Sequence, residues 1–572
     1  MSTTEHENPP QAEGGFITVT TAIILTLLLL CAALALDVSV WFARANELQR
    51  AADAAALAGV VKMPDEAAAR NAATDIATKN RIAPTNVSVN TIPSSPRELK
   101  VSVSDPQVRS FFAKYVTGGI ALTRSATAEY VPKIELGSRL NAIGTGSLAG
   151  WGPGGTTQNF WLAINGKCTA REDGDFYASA FDGNRLADGT IKCDSVNALK
   201  NLEYRTESAT EPGALNQPSY TYIVEIPCPT ALVGGVCTTP IDGRIDIWNR
   251  FFDNSNDRPN GVIDRNVVDA DVNPVLAPLA QFDTSFTLRD AYGNPVLDSF
   301  GIAVPVAKYG TCTSCWAAND QWTQMFQVTQ AGKYRIDVSS VSVPGFEGSS
   351  YGSNAFGLRV WTDSTGPTLC ETGSCPTIAG QSSMSIFADA SGGSADLYLA
   401  RLAPARYYRG KKVQVLLFDP GEGARSIQIL RADPALGYQP VSFRYRTMKP
   451  GLSLGNDALN TPLSDNGITL SAPVTELAVD SDGTTLAPGL QASWWGTNPP
   501  ANDSIFNGRL VSVEIQIPAT YGCAADKIPC IETALPEDGW WKIRYNTTAS
   551  EVSDRTTWSV RMFGDPVHLT NR

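Results

Sequence analysis

The feature that most constrains this chain is an uninterrupted apolar run, Phe16 to Leu36, which reads FITVTTAIILTLLLLCAALAL and carries no charged residue. About 20 apolar residues in helical conformation span the hydrocarbon core of a bilayer. The run therefore predicts a transmembrane helix over 16–36, with residues 1–15 as a short tail. A buried core helix of this length and apolarity is disfavoured. A cleaved signal peptide is the competing reading, because Ala33-Leu34-Ala35 matches a small-residue cleavage site. Against it stand Glu5, Glu7 and Glu13, the lack of Lys or Arg before the run, and a run longer than the usual apolar region of about 7–15 residues. Trp41 and Phe42 follow where an interfacial aromatic belt sits.

Two signals bear on orientation, and they disagree. Arg44 and Arg50 lie just past the run and no basic residue precedes it, so the positive-inside rule taken literally places the large C-terminal part in the cytoplasm. The cysteines point the other way. Cys31 lies in the apolar run, and the other ten fall into sequential neighbours: Cys168 and Cys193, Cys228 and Cys237, Cys312 and Cys315, Cys370 and Cys375, Cys523 and Cys530. Each pair brackets turn-rich sequence. Five local disulfides fit an oxidising compartment. Inert thiols, or a metal or redox role for the C-x2-C and C-x4-C pairs, are the alternatives.

Past the run, Trp41, Ala45, Leu48, Ala52, Ala55 and Gly59 recur at spacings of four and three. That is a heptad-like seam of mostly small residues on a helix continuing beyond the bilayer, and small residues let a second helix approach closely. The seam serves either a partner helix or the chain's own next domain. A second helical stretch covers Glu66 to Arg81. NVSVNTI and ELKVSVS alternate as strands do, VRSFFAKYV reads as a helix with Phe111, Phe112 and Val116 inward, and LTRSATAEYV returns as a strand. Residues 37–132 thus read as a small α+β module.

From Leu136 onward helical periodicity fades. Residues 137–219 read as a Gly- and aromatic-rich linker and β region. Short strand candidates then alternate with turns, suggesting two antiparallel β-sandwich domains over 220–365 and 380–572. Segment 331–361 resembles 538–563, and 243–253 resembles 410–419, a hint of internal duplication. The fold class is thus an N-terminal transmembrane helix and small α+β module followed by a mainly-β region.

The N-terminal region resembles the TadG-like proteins of the Flp-type (tight adherence) pilus assembly system. Glu13-Gly14-Gly15 precedes the apolar run, and Asp37-Val38, Trp41, Arg44, Leu48-Gln49 and the stretch Ala51 to Gly59 follow it in one long string. Val101-Ser102-Val103, Phe111-Phe112, Gly118-Gly119 and Ala126-Thr127-Ala128 continue the likeness. The resemblance implies an inner-membrane protein with a cytoplasmic N-terminus, an extracytoplasmic C-terminal part, and other pilus-assembly membrane proteins as partners. It says nothing of chemistry in the remaining residues.

Catalytic signals are weak. The two histidines, His6 and His568, stand near the ends, whereas hydrolytic triads and zinc sites need one inside a pocket. A net charge of −12 repels phosphate backbones and argues against nucleic acid. Asp253, Asn254, Asn256, Asp257 and Asp264 offer oxygens suited to calcium, without the spacing of a known loop. Asp and Asn also simply build turns. No other cofactor is expected. The leading reading is a non-enzymatic envelope component. A surface module binding glycan or protein is the alternative, and a metal- or carboxylate-dependent hydrolase the remote one. Trp151, Trp161, Trp316, Trp494-Trp495 and Trp540-Trp541 would be the sugar-stacking aromatics if exposed.

Overall fold

The computed structural model describes residues 14–63, 66–92, 95–113, 120–130, 133–144, 160–166, 169, 174–177, 220–230, 237–253, 282–290, 293–297, 303–310, 322–342, 353–370, 373–390, 394–421, 424–448, 471–479, 506, 510–524, 529–547, 552–562 and 567–570. Two helices lead, α1 (Gly14–Val60) and α2 (Glu66–Lys79). The strands follow: β1 (Val87–Ile92), β2 (Ser95–Val108), β3 (Ile120–Tyr130), β4 (Glu135–Leu136), β5 (Ala142–Ile143), β6 (Phe160–Asn165), β7 (Tyr220–Ile226), β8 (Gly243–Asp253), β9 (Phe282–Asp290), β10 (Ala307–Gly310), β11 (Trp322–Val328), β12 (Gly332–Ser342) and β13 (Ser353–Thr362). Then come β14 (Thr377–Gln381), β15 (Ser383–Ala390), β16 (Ser394–Arg401), β17 (Lys412–Phe418), β18 (Ala424–Asp433), β19 (Gly437–Pro440), β20 (Arg444–Met448), β21 (Leu477–Ala478), β22 (Leu510–Gln516), β23 (Trp540–Thr547), β24 (Val552–Met562) and β25 (Val567–Thr570). They form two compact units, Met1–Pro132 with Gly564–Arg572, and Lys133–Phe563.

In the first unit α1 runs unbroken for 47 residues, roughly 70 Å at the α-helical rise. Its first half exposes Ile17, Ile24, Leu28, Leu30, Leu34 and Leu36. Its second half buries Leu48, Ala51, Ala52, Ala55, Ala56 and Val60. These join Ala69, Ala73 and Ala77 of α2, Val89 of β1, Leu99, Val101 and Val103 of β2, and Ala126 and Ala128 of β3 in one core. The strand residues alternate because successive side chains point to opposite faces, and only one face meets the helices. The sheet order is β1-β2-β3-β25, all antiparallel, so the last strand of the chain completes the sheet of the first module. The expected helix at VRSFFAKYV is not formed over its described part. β2 runs on to Val108, a turn occupies residues 109–113, and Phe111 and Phe112 are exposed rather than inward. Val116 lies outside the described residues.

The second unit consists of two large antiparallel sheets. One has the order β10-β9-β12-β7-β14-β4-β16-β23-β18-β19, with β21 on β18. The other has the order β11-β8-β13-β6-β15-β24-β17-β22-β20, with β5 on β13. The core residues they enclose form one cluster, which includes Leu136, Leu162, Tyr222, Phe356, Met384, Ile386, Trp541 and Trp558. The range 220–365 and the range 380–572 are therefore not two separate sandwiches. They share both sheets and one core, and β25 leaves the second range altogether.

Within those sheets the duplication hint acquires a structural form. Outward from the centre, the first sheet reads β7, β12, β9, β10 on one side and β16, β23, β18, β19 on the other. The second reads β13, β8, β11 on one side and β24, β17, β22 on the other. Taken in chain order, β7 to β13 and β16 to β24 occupy matching places, with β20 and β21 as additions. The two sequence likenesses fall on matching strands: β12–β13 with β23–β24, and β8 with β17.

Between the repeats stand β4, just before the segment expected as linker, β6 within that segment, and β14 and β15. Leu136 of β4 faces Gly380 of β14 on one side and Ala400 of β16 on the other. β6, buried at every position, pairs with β13 and with β15. Between β14 and β15 the chain crosses from one sheet to the other at Ser382, whose φ of 67° turns it sharply. The Ser382 N–H donates to the carbonyl of Ile134, and its carbonyl accepts from Val560.

Candidate functional site: the junction between the apolar helix and its module

The residues of the N-terminal signature share a stripe of α1, and each meets a definite partner. Asp37 is the first charge after the apolar run and is 1% exposed. A lone carboxylate in such a place is costly. Here it accepts three backbone N–H bonds, from Phe111 at 2.5 Å, Phe112 at 2.9 Å and Ala113 at 2.6 Å. One turn on, Trp41 Nε1 donates to Ser110 Oγ at 2.9 Å. Arg44 Nε then donates to Asp105 Oδ2 at 2.7 Å and its Nη1 to Glu47 at 2.9 Å. Burial alone would lower the Arg44 pKa; pairing with Glu47 and Asp105 outweighs it and raises it. Gln49 donates to Asp53 at 2.8 Å and to the carbonyl of Ser125. The polar part of the signature thus fastens the end of the apolar helix to the turn after β2 and to β3.

The apolar part continues the same stripe. Of the seam residues, Ala45, Leu48, Ala52, Ala55 and Gly59 are buried and Trp41 is half-buried. They pack on the chain's own module, so the Ala45–Gly59 face is not open to a helix of another protein. Gly59 shows why a small residue is needed. A Cβ there would lie 2.5 Å from Leu99 Cδ2, 2.9 Å from the Ala69 carbonyl oxygen and 3.0 Å from Ala73 Cβ. The helix ends there too, with Lys62 and Met63 donating to the carbonyls of Gly59 and Val60.

Sequence reasoning singled out the small-residue seam but not Asp37, Asp105 or Ser110 as functional. For Asp37 a signal existed: an acid directly after a spanning run, with Trp41 and Arg44 at the next two turns. Asp105 and Ser110 carried no comparable signal, since their role depends on the turn that brings them to the helix.

Elsewhere the expected sites disperse. Disulfides join Cys228 to Cys237, Cys370 to Cys375 and Cys523 to Cys530. Cys168, Cys193, Cys312 and Cys315 lie outside the described residues, and Cys31 is a free, exposed thiol on α1. The calcium candidates Asn254, Asn256, Asp257 and Asp264 also lie outside the described residues, and Asp253 is described only as the backbone end of β8. Among the described residues no group of His, Cys, Asp or Glu is placed to hold a metal ion. Of the candidate sugar-stacking aromatics, Trp161, Trp540 and Trp541 are buried, and Trp151, Trp316, Trp494 and Trp495 lie outside the described residues. Three other tryptophans stand half-buried on the outer face of the second sheet. Trp248 meets Trp322 edge-on, while Arg359 covers Trp322 at 4.3 Å and Arg244 covers Trp361 at 4.6 Å. Asp246, 3% exposed, accepts from Arg359 Nε and Trp361 Nε1. This is a cation–π ladder whose ring faces are already partly taken.

The fold and junction therefore define a β-rich protein with an N-terminal helix long and apolar enough to cross a membrane, the one such helix among the described residues. Residues 15–72 match the family described as putative Flp pilus-assembly TadE/G-like. That match covers the apolar helix, its signature stripe and the first part of α2. No curated protein and no solved structure matches the chain.

Proposed function

We propose that this chain is a non-enzymatic, single-pass component of a Flp-type pilus assembly or secretion apparatus, with its N-terminus in the cytoplasm and its β-rich body outside. The observation that carries the reading is the junction. The segment matching the pilus-assembly family is the one in which Asp37, Trp41 and Arg44 clamp the apolar helix to a folded module. Such a clamp transmits position and force between a bilayer and the folded module. Three disulfides among the described cysteines support an oxidising compartment for the body. Two basic residues, Arg44 and Arg50, weigh little against them, and Arg44 is neutralised by Asp105 and Glu47.

With the Ala45–Gly59 face enclosed, partner proteins of the apparatus meet the exposed surface of Ile17–Leu36 within the bilayer or the outer faces of the body. Protease shaving of intact cells and spheroplasts, read by non-reducing peptide mapping, tests the topology. The reading expects cleavage in the body and disulfide-linked peptides. A body protected in both preparations, with free thiols, refutes it.

A further inference from the structure

We propose that the turn at residues 109–113 is a second membrane contact, in which Phe111 and Phe112 enter the headgroup region of the bilayer beside the end of the spanning helix. The proposal rests on the reading of Phe16–Leu36 as a bilayer-spanning segment.

The placement follows from three observations. First, the apolar run ends at Leu36, and its 21 residues measure about 30 Å as helix, the thickness of the hydrocarbon core. The Asp37 carboxylate therefore marks the boundary between hydrocarbon and headgroups. Second, Asp37 holds the backbone N–H groups of Phe111, Phe112 and Ala113 within 2.9 Å. Those residues are thus fixed at that boundary and are not free to sit farther out. Third, Phe111 and Phe112 remain 46% and 50% exposed. Two adjacent phenylalanines left open are unusual at a protein–water surface, whereas aromatic rings concentrate at membrane interfaces.

The chemistry of the turn suits lipid. Three of its N–H donors are already satisfied by Asp37, so approach to apolar surroundings leaves none of those groups unpaired. Arg109 is exposed, and its guanidinium lies 5.2 Å from the Phe111 ring. That places a cation among lipid phosphates when the rings face the acyl chains. Phe42 is 67% exposed on α1, five residues past Asp37 and about 7 Å farther along the axis, within the same interfacial zone. The module is then held to the bilayer by the helix and by the Phe111–Phe112 turn together, which limits its tilt about the helix end.

The test reconstitutes the full chain in phosphatidylcholine–phosphatidylglycerol vesicles that contain a phospholipid with a photoactivatable carbene precursor near the glycerol backbone. Labelled peptides are mapped by mass spectrometry. The expected result is labelling of the peptide containing Phe111 and Phe112 well above that of peptides containing Leu436 and Ile531, which are exposed apolar residues of the body. F111S/F112S should lose that labelling while the peptide of Ile17–Leu36 keeps its own. If the span labels and the turn labels no more than the Leu436 and Ile531 peptides, the proposal fails and the anchor reading stands. If the span itself does not label, the anchor reading fails first.

Discussion

The N-terminal module and the β-rich body solve the same problem, burying one apolar face per element, with opposite materials. The module uses the smallest side chains available. Ala52, Ala55 and Gly59 of α1 meet Ala69 and Ala73 of α2, so backbones approach closely and a single added Cβ collides. The body uses large ones, with Trp161, Trp541, Trp558, Tyr222 and Phe356 among its most buried residues. Polar contacts differ likewise. The module lines several of them up along the middle of one helix, from Asp37 to Gln49, whereas the body places them both on an outer face, as in the Asp246 ladder, and inside, where Asp175 accepts from Tyr220 and Asn354 donates to Thr284. Small-residue packing fixes a helix at a defined height and rotation, which suits an anchor. A sheet sandwich with a continuous core couples its strands into one packed unit.

Four changes would break or sharpen this contrast. The largest effect is expected for Gly59→Leu. Its Cβ alone lies 2.5 Å from Leu99 and 2.9 Å from a backbone carbonyl that cannot rotate away. Overpacking of this kind typically costs about 1–3 kcal/mol, and a clash with backbone costs more. The module should lose protease resistance in detergent while the body keeps its own.

Leu162→Ala comes next. Leu162 is fully buried in β6, where it faces Phe356 on one side and Ile386 on the other. A loss of about 2–5 kcal/mol is expected. Calorimetry should show both repeats shifting as one transition, because β6 stands between them in the second sheet. Two separable transitions, with only one of them moved, would mean that the repeats are independent after all.

Asp37→Ala leaves three N–H groups of the 109–113 turn without their acceptor. The cost of unsatisfied donors is about 1–3 kcal/mol for each that water does not reach. Amide hydrogen exchange should rise at Phe111, Phe112 and Ala113 while α2 and β1 remain protected.

The smallest effect concerns Glu537, which sits at a φ of 44° beside Arg139. Burial pushes its carboxyl up, but hydrogen bonds from Tyr398, Tyr438 and Lys542 outweigh this and hold it below the usual carboxylate range. A depressed folded value adds stability above the unfolded value of about 4.3 and loses it as pH falls through the folded one. Glu537→Gln should therefore flatten the acid limb of body stability by a fraction of a kcal/mol, roughly the scale of a partly exposed pair. An unchanged slope would remove Glu537 from the network.

The sequence itself showed the apolar span, the α1 continuation and the strand-rich body, because each is a periodicity confined to one short segment. It also showed the repeats faintly, at β12–β13 and β23–β24. It did not show that Phe111 and Phe112 stand outward, since the apolar spacing of VRSFFAKYV mimics a helix and only the Asp37 bonds explain the turn. Nor could it separate a seam made for a partner from one made for α2. Both ask for the same small residues.

By itself, then, the sequence determined that this chain has a membrane-length helix, a packing stripe on its extension and a body made of short strands. Those properties are local, set by side-chain type at spacings of two, three or four. The tertiary structure alone decided which strands pair. It brought β25 to β3 across more than four hundred residues and set β4 and β6 between two repeats to make two sheets continuous. Strand pairing is made through backbone groups that every residue carries, so the partner of a strand is chosen by the geometry of the whole chain.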